Sequence, residues 1–301
     1  MTLYQLSDDM FGVIQLYSDF PESTPNINLT QKEEYKNRIN WDYLSKNPNA
    51  VHIIEQNLDK ANWIWLSCNP TAIDLLEKNI DKVDWEGLSI NPNAIRIIEN
   101  NLDKVVWEGL SGNPNAIHLL EQNLDKVDWE WLSSNPNAIS ILENNLDKVD
   151  WEELTINRNS IDILETNLHK IDLYHLSKNP NAIHMIQNKL DKISWYYLSQ
   201  NPNAVHILEQ NLDKVEWLGL SENPNAIHIL ENNLDKVNWS ILSSNSHAIN
   251  IIEKNLDKVH WRPLSRNINA IHILQQNLDK VDWKNISINS NAIHLIEMIL
   301  S

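Results

Sequence analysis

The chain has 301 residues, 42% of them apolar, and carries a formal net charge of −17 at pH 7. No apolar run is long enough for a membrane span, and the acidic balance argues against a polyanionic partner such as nucleic acid while permitting a basic protein. Cys68 is the single cysteine, which excludes a disulfide within the chain and fits a reducing compartment. No basic region followed by an apolar run opens the sequence, so a secretory leader is not expected and the protein reads as not secreted.

Residues 1–35 stand outside any repeat. Leu3, Tyr4, Leu6, Met10, Phe11, Val13, Ile14, Leu16 and Tyr17 form a short apolar cluster broken by Ser7, Asp8 and Asp9, and the stretch from Asp19 to Asn26 reads as a polar linker. The segment is open to two readings: an N-terminal cap over the first repeat, which solenoids need for solubility, or a separate docking peptide for a partner.

From Trp41 onward a single stretch recurs. Tryptophan stands at 41, 63, 85, 107, 129, 151, 195, 217, 239, 261 and 283, every gap being 22 residues, or 44 across the slot filled by Leu173. That makes twelve units, the last truncated, and residues 36–301 read as one tandem-repeat domain; a fixed period of this length is the mark of a solenoid.

Each unit predicts two helices. Proline is tolerated only in a first turn, and Pro263 sits two residues after its tryptophan, as Gly87, Gly109 and Gly219 do after theirs. The first helix therefore starts near the residue before Trp, such as Asp84 or Asp128; Val106 in that slot argues for an earlier start at Asp103. One or two turns, α or 3-10, is all the length allows. A second, longer α-helix is expected to begin at Asn-Pro-Asn-Ala, with Asn as N-cap and Pro at the first helical position. Asn fills that slot in all twelve units, from Asn47 to Asn289. The helix is expected to stop at the next Asn, such as Asn123, in a left-handed conformation. At 100° per residue, Ile117, Leu124, Leu120, Ala116 and Leu119 share an apolar arc, while His118, Gln122, Asn115 and Glu121 face solvent. Ala at the buried slot, replaced once by Ser160, lets helices approach closely. The fold expected is all-α: a right-handed α-solenoid of about twelve 22-residue repeats.

The Asn-Pro-Asn fragment followed by paired aliphatic residues resembles leucine-rich-variant repeats, in which α and 3-10 helices alternate. Their period is slightly longer and they lack the tryptophan, so that likeness is architectural. Over residues 41–301 the chain more closely resembles the Asn-Pro-Asn-Ala tandem-repeat proteins of giant DNA viruses. This resemblance brings no established activity; it implies a viral protein made inside an infected host cell, in the cytoplasm, the viral factory or the virion.

Several side chains recur as ladders. His52, His118, His184, His206, His228, His272 and His294 share one exposed slot. Stacked helices lie about 8–10 Å apart and zinc requires nitrogens within about 2.1 Å, so neighbouring rungs read as outward polar positions, with a pH-sensitive binding face as the alternative. Glutamates such as Glu55, Glu99, Glu121, Glu209 and Glu231 follow one turn along, either as a solvated face or as a stripe for basic partners. Asp-Lys pairs such as Asp125-Lys126 read as turn residues between units. Repetition in every unit suits a structural cap and not a catalytic site, which needs different groups converging on one point. No such convergence is apparent, and neither cofactor nor metal is implied.

Two places break the pattern. Around unit 151–172, Arg158, Ser160, His169 and the following Leu173 replace the usual residues, which fits a drifted repeat, a local kink or a partner's anchor point. At the C-terminus Met298, Ile299 and Leu300 stand where a polar cap is expected, which fits either a frayed end or an end-to-end contact, including self-association. The function expected is a non-catalytic protein-protein interaction scaffold. By analogy with other solenoids, its partner surface is placed on the exposed side of the central second helices, at His184, His206, Glu209, Gln210, His228, Glu231 and Asn232. The alternative is an acidic decoy that occupies a basic nucleic-acid-binding protein.

Overall fold

The computed structural model describes residues 27–301. Among the described residues every regular element is helical, and helix pairs repeat at the 22-residue period, so the chain is an all-α solenoid. The first helix of each unit starts at the tryptophan slot, as in Trp85–Ile90, Trp107–Ser111 and Trp129–Ser134. The residue before it is the cap: Asp84 Oδ1 accepts the Gly87 N–H at 2.7 Å and Asp128 Oδ1 accepts the Trp131 N–H at 3.0 Å. Val106 has no capping side chain, yet its helix also starts late, at Trp107. The reason lies in the preceding unit. The Val106 N–H donates to Ser89 Oγ at 3.0 Å, as those of Asp84 and Asp128 donate to Ser67 and Ser111, both at 2.9 Å. Each of these hydroxyls in turn donates to the carbonyl of its own tryptophan, Ser111 to Trp107 at 2.7 Å.

The second helix differs from expectation. It is not the longer of the two: Ile117–Glu121 has five residues, as does Trp107–Ser111. The Asn-Pro-Asn stretch is mostly a turn before it, with 3-10 turns at Pro180–Ala182 and Ser290–Ala292. Asn179 and Asn289 cap those two 3-10 turns, Asn179 with Pro180 at the first position as expected, whereas Asn113 precedes only a turn. Its Oδ1 accepts the Asn115 N–H at 3.0 Å, and its buried Nδ2 donates to the Ser89 and Asn91 carbonyls of the preceding unit at 2.9 and 3.0 Å. Nor is the stop left-handed, since Asn57 and Asn79 have φ of −138° and −131°. The stop is made by the amide, which folds back on the carbonyl four residues earlier, Asn123 Nδ2 to Leu119 O at 2.9 Å. Because the helix ends at Glu121, the wheel does not extend to Leu124, which is 36% exposed instead of joining the apolar arc.

The core is a set of columns, one side chain per unit. Leu110, Ala116 and Leu120 and their counterparts are fully buried, and the Ser and Asn ladders are buried beside them. Most neighbouring first helices approach within 8 Å of each other along their length, whereas no neighbouring pair of second helices does so to that extent. In a ring of equal units the spacing of equivalent atoms grows with distance from the axis, so the first helices form the inner layer and the second helices the outer one.

The array closes on itself. Asn47 Nδ2 donates to the Ser287 and Asn289 carbonyls at 3.0 and 3.3 Å, the Asn40 N–H donates to Ser287 Oγ at 3.0 Å, and His52 meets Glu297 at 2.7 Å. The two Asn amide bonds are those that every interior unit makes to its predecessor, and the Ser and His–Glu bonds recur in many of them; here the first unit makes all three to the twelfth. The truncated twelfth unit is completed by residues 37–40, with Ile39 buried in the position that Val127 holds after unit four. Just ahead of them the helix Leu29–Lys36 packs against the last helix, Ile293–Leu300. Tyr35 stacks on Trp283 at 4.7 Å, making that indole the one ring of the tryptophan ladder that is fully buried. The apolar C-terminus therefore makes its end-to-end contact within one chain: Ile299 is fully buried, and Met298 and Leu300 are half-buried. The apolar cluster and the linker read in residues 1–26 lie outside the described residues.

Candidate functional site: the irregular first-helix surface

Counting the tryptophan slot as position 1, positions 4 and 5 of the first helix are buried in every unit. Positions 3 and 6 pack across units, position 6 of one against position 3 of the next, and their sizes compensate. A Cβ on Gly109 would stand 2.8 Å from Ile90, one on Gly112 would stand 2.9 Å from Trp131, and one on Gly87 would stand 2.9 Å from the Cys68 sulfur. Where both side chains are long they stack, Lys46 over Trp65 at 4.8 Å and Lys178 over Tyr197 at 4.2 Å. Glycines that look scattered in the sequence are thus the small halves of tight pairs.

Position 2 has no packing obligation and varies freely. It is exposed and acidic at Asp42, Glu86, Glu108, Glu130 and Glu152, and basic at Arg262 and Lys284. In units seven to nine it holds Tyr174, Tyr196 and Leu218, exposed by 47%, 38% and 46%. Tyr174 and Tyr196 are joined through Tyr197, and Leu218 follows at the same position of the next unit. Tyr174 meets Tyr197 edge-on at 5.2 Å, Tyr196 lies 5.5 Å from Tyr197, and Gln200 Nε2 donates to the Tyr196 hydroxyl at 3.2 Å. His175 bridges Glu152 of unit six at 3.0 Å and Asp172 at 2.9 Å.

The electrostatics of this arc are acidic. Burial, followed by Asp150, Glu130 and Glu152, raises the Glu153 carboxyl above its ordinary value. The charge of Tyr197 raises the Tyr174 phenol. Elsewhere on the same layer, burial pushes the Cys68 thiol up to about 11, and Cys68 Sγ donates to the Ile64 carbonyl at 3.4 Å. That environment leaves the thiol protonated and unreactive. Among the described residues no cluster of His, Cys, Asp or Glu is placed to hold a metal ion.

The residues expected to form the partner surface lie on the outer layer, and four of the seven are engaged in bonds within that layer. His228 meets Glu209 at 2.6 Å and His184 meets Glu165 at 2.9 Å, while Asn232 Nδ2 donates to the His228 carbonyl at 2.9 Å. The same pairing joins His118 to Glu99, His272 to Glu253 and Arg96 to Glu77. The histidine and glutamate ladders are therefore one inter-unit ladder. His206 and Gln210 are exposed, with Gln187 in the slot where His206 would meet a glutamate; Glu231 is also exposed. The aromatic arc escaped the sequence reading because Tyr174, Tyr196 and Leu218 look like ordinary variation until position 2 is known to be unpacked. No helix among the described residues is long and apolar enough to cross a membrane. Compared with family models, curated proteins and solved structures, the chain matches none.

Proposed function

We propose that this ring is a non-catalytic protein-protein interaction scaffold, and that it works, as the resemblance to giant-virus repeat proteins implies, inside an infected cell or in the virion. The observation that carries the scaffold reading is the division of labour within each unit. The Asn, Ser and His/Glu ladders repeat because they hold neighbours together, whereas position 2 of the first helix, free of packing, changes from acidic to aromatic to basic around the ring. A partner that must be told from others needs such an irregular surface, and Tyr174, Tyr196 and Leu218 are the exposed apolar residues that it offers in succession. The partner surface is accordingly moved from the His/Glu ladder to the first helices.

The acidic-decoy reading draws support from the exposed carboxylates of units three to six, Glu86, Glu108, Glu130 and Glu152. A pull-down from infected cells at low and physiological salt separates the two. A scaffold with apolar anchors keeps its partner at physiological salt and loses it in the triple variant Tyr174→Ser, Tyr196→Ser, Leu218→Ser. A decoy loses its partner to salt and is indifferent to those three changes. The paired variant His228→Ala, Glu209→Gln leaves recovery unchanged if the outer ladder is only structural.

A further inference from the structure

Resting on that reading, we infer that the partner segment is an amphipathic basic helix, whose aliphatic side chains seat on Tyr174, Tyr196 and Leu218 and whose lysines or arginines meet Glu130 and Glu152. The apolar part of the argument is the succession of three exposed large side chains on three neighbouring units. By contrast, Ile64, 58% exposed, stands alone between Asp42 and Glu86. The rings are already oriented, Tyr174 by its edge contact with Tyr197 and Tyr196 by the Gln200 amide, so little side-chain order remains to be lost on binding. Units spaced by roughly 8–10 Å suit anchors seven residues apart on a helix, which rise about 10.5 Å.

Charge selects the rest. Glu130 and Glu152 are exposed, and Glu153 is half-buried between them and Asp150. Among the cations of these units, Lys178 lies over the Tyr197 ring and His175 is held between Glu152 and Asp172, while Lys148, Lys170, Lys214 and Lys236 stack over the tryptophans at position 1. A surplus of carboxylates remains. An acidic segment or an anionic membrane would be repelled, and a neutral one would leave the carboxylates uncompensated.

The test uses the full chain and three labelled helical peptides of equal length, followed by fluorescence anisotropy. One places leucines at heptad spacing among lysines, the second pairs the same leucines with glutamates, and the third pairs the lysines with serines. The leucine-lysine peptide is expected to bind at least about tenfold more tightly than either other. Tyr174→Ser, Tyr196→Ser, Leu218→Ser should reduce it to the level of the serine-lysine peptide, and Glu130→Gln, Glu152→Gln should weaken it and flatten its salt dependence. Because all five side chains are at the surface, thermal melts should show every variant folded. Equal binding of the serine-lysine or leucine-glutamate peptide, or full affinity in the triple variant, overturns the inference. If that happens while the triple variant still loses its cellular partner, the scaffold reading stands and only the partner's chemistry is wrong. If the triple variant keeps both, both fall.

Discussion

In unit four Lys126 lies over Trp107 at 4.9 Å, Asn123 closes the second helix on the Leu119 carbonyl, and Leu119 is buried. In unit seven the same slots hold Leu173, Lys189 and the only half-buried Met185, so the stack and the amide cap are both lost, and the second helix Ile183–Ile186 stops a residue sooner. What the two units share is the buried amide. Asn113 donates to the Ser89 and Asn91 carbonyls at 2.9 and 3.0 Å, and Asn179 to the Thr155 and Asn157 carbonyls at 3.0 and 2.9 Å. The comparison separates two kinds of cohesion. The Asn ladder sets the spacing of the ring and runs unbroken through the weakest unit. The stack and the cap add local stability and can lapse, and they lapse where the exposed aromatic arc begins.

The largest effect should fall on the shared feature. Asn113→Ala and Asn179→Ala each remove a buried amide from two carbonyls and should each cost about 3–5 kcal/mol in urea unfolding. A much smaller loss at Asn179 would mean that unit seven is held by something other than the ladder. Next comes the seam. Tyr35→Ala uncovers Trp283, the most buried of the repeat tryptophans, and should cost about 2–4 kcal/mol. Small-angle scattering should show whether the ring opens there, and hydrogen exchange should rise first in Ile293–Leu300. An unchanged exchange pattern would count against closure through that contact.

The lapsed features can be restored. Leu173→Trp returns a ring beneath Lys192, and Lys189→Asn returns the amide cap; each should gain roughly 0.5–1 kcal/mol. Before repair, trypsin should cut the described region first at Lys192, a site that both changes leave in place, and the double repair should remove that preference. Cleavage that stayed there after repair would show that the lapse is not what loosens the unit.

Much of this architecture was legible in the sequence. The 22-residue tryptophan spacing implied the solenoid, the capping residue before Trp located the first helix, and Ala116 and Leu120 were read as core, where they are fully buried. The length of the second helix was misread because Asn113 was assigned to a helix N-terminus, when its amide bridges to Ser89 and Asn91 instead. Nothing local to one unit shows that a side chain will be claimed by its neighbour. Closure was hidden for a related reason. The curvature of the array depends on the difference in spacing between its inner and outer layers, and no single residue encodes it. Met298, Ile299 and Leu300 fitted either a frayed end or an end-to-end contact, and nothing in them pointed to Leu29–Lys36 as the element that covers them.

The smallest effect is also the most specific to the irregular arc. Burial and the charges of Asp150, Glu130 and Glu152 hold the Glu153 carboxyl above its ordinary value. A carboxyl whose folded value is raised favours the fold while it is protonated, and that contribution is lost as pH rises through the raised value. At neutral pH the ionised Glu153 is therefore a mild liability. Glu153→Gln should stabilise the ring by a few tenths of a kcal/mol at pH 7, the figure being kept small because half of the group remains solvent-screened. As pH falls through the carboxylate range the wild-type side chain takes up its proton, and the advantage of the variant should shrink toward zero. Glu108→Gln, at the exposed position 2 of a regular unit, removes the same charge away from Glu153 and serves as the comparison. Chemical denaturation of the wild type and both variants at pH 3.5 and pH 7 measures this directly. Equal gains at the two positions would mean that the carboxylates act through the ring's total charge of −17, with no concentration of repulsion beside Tyr174.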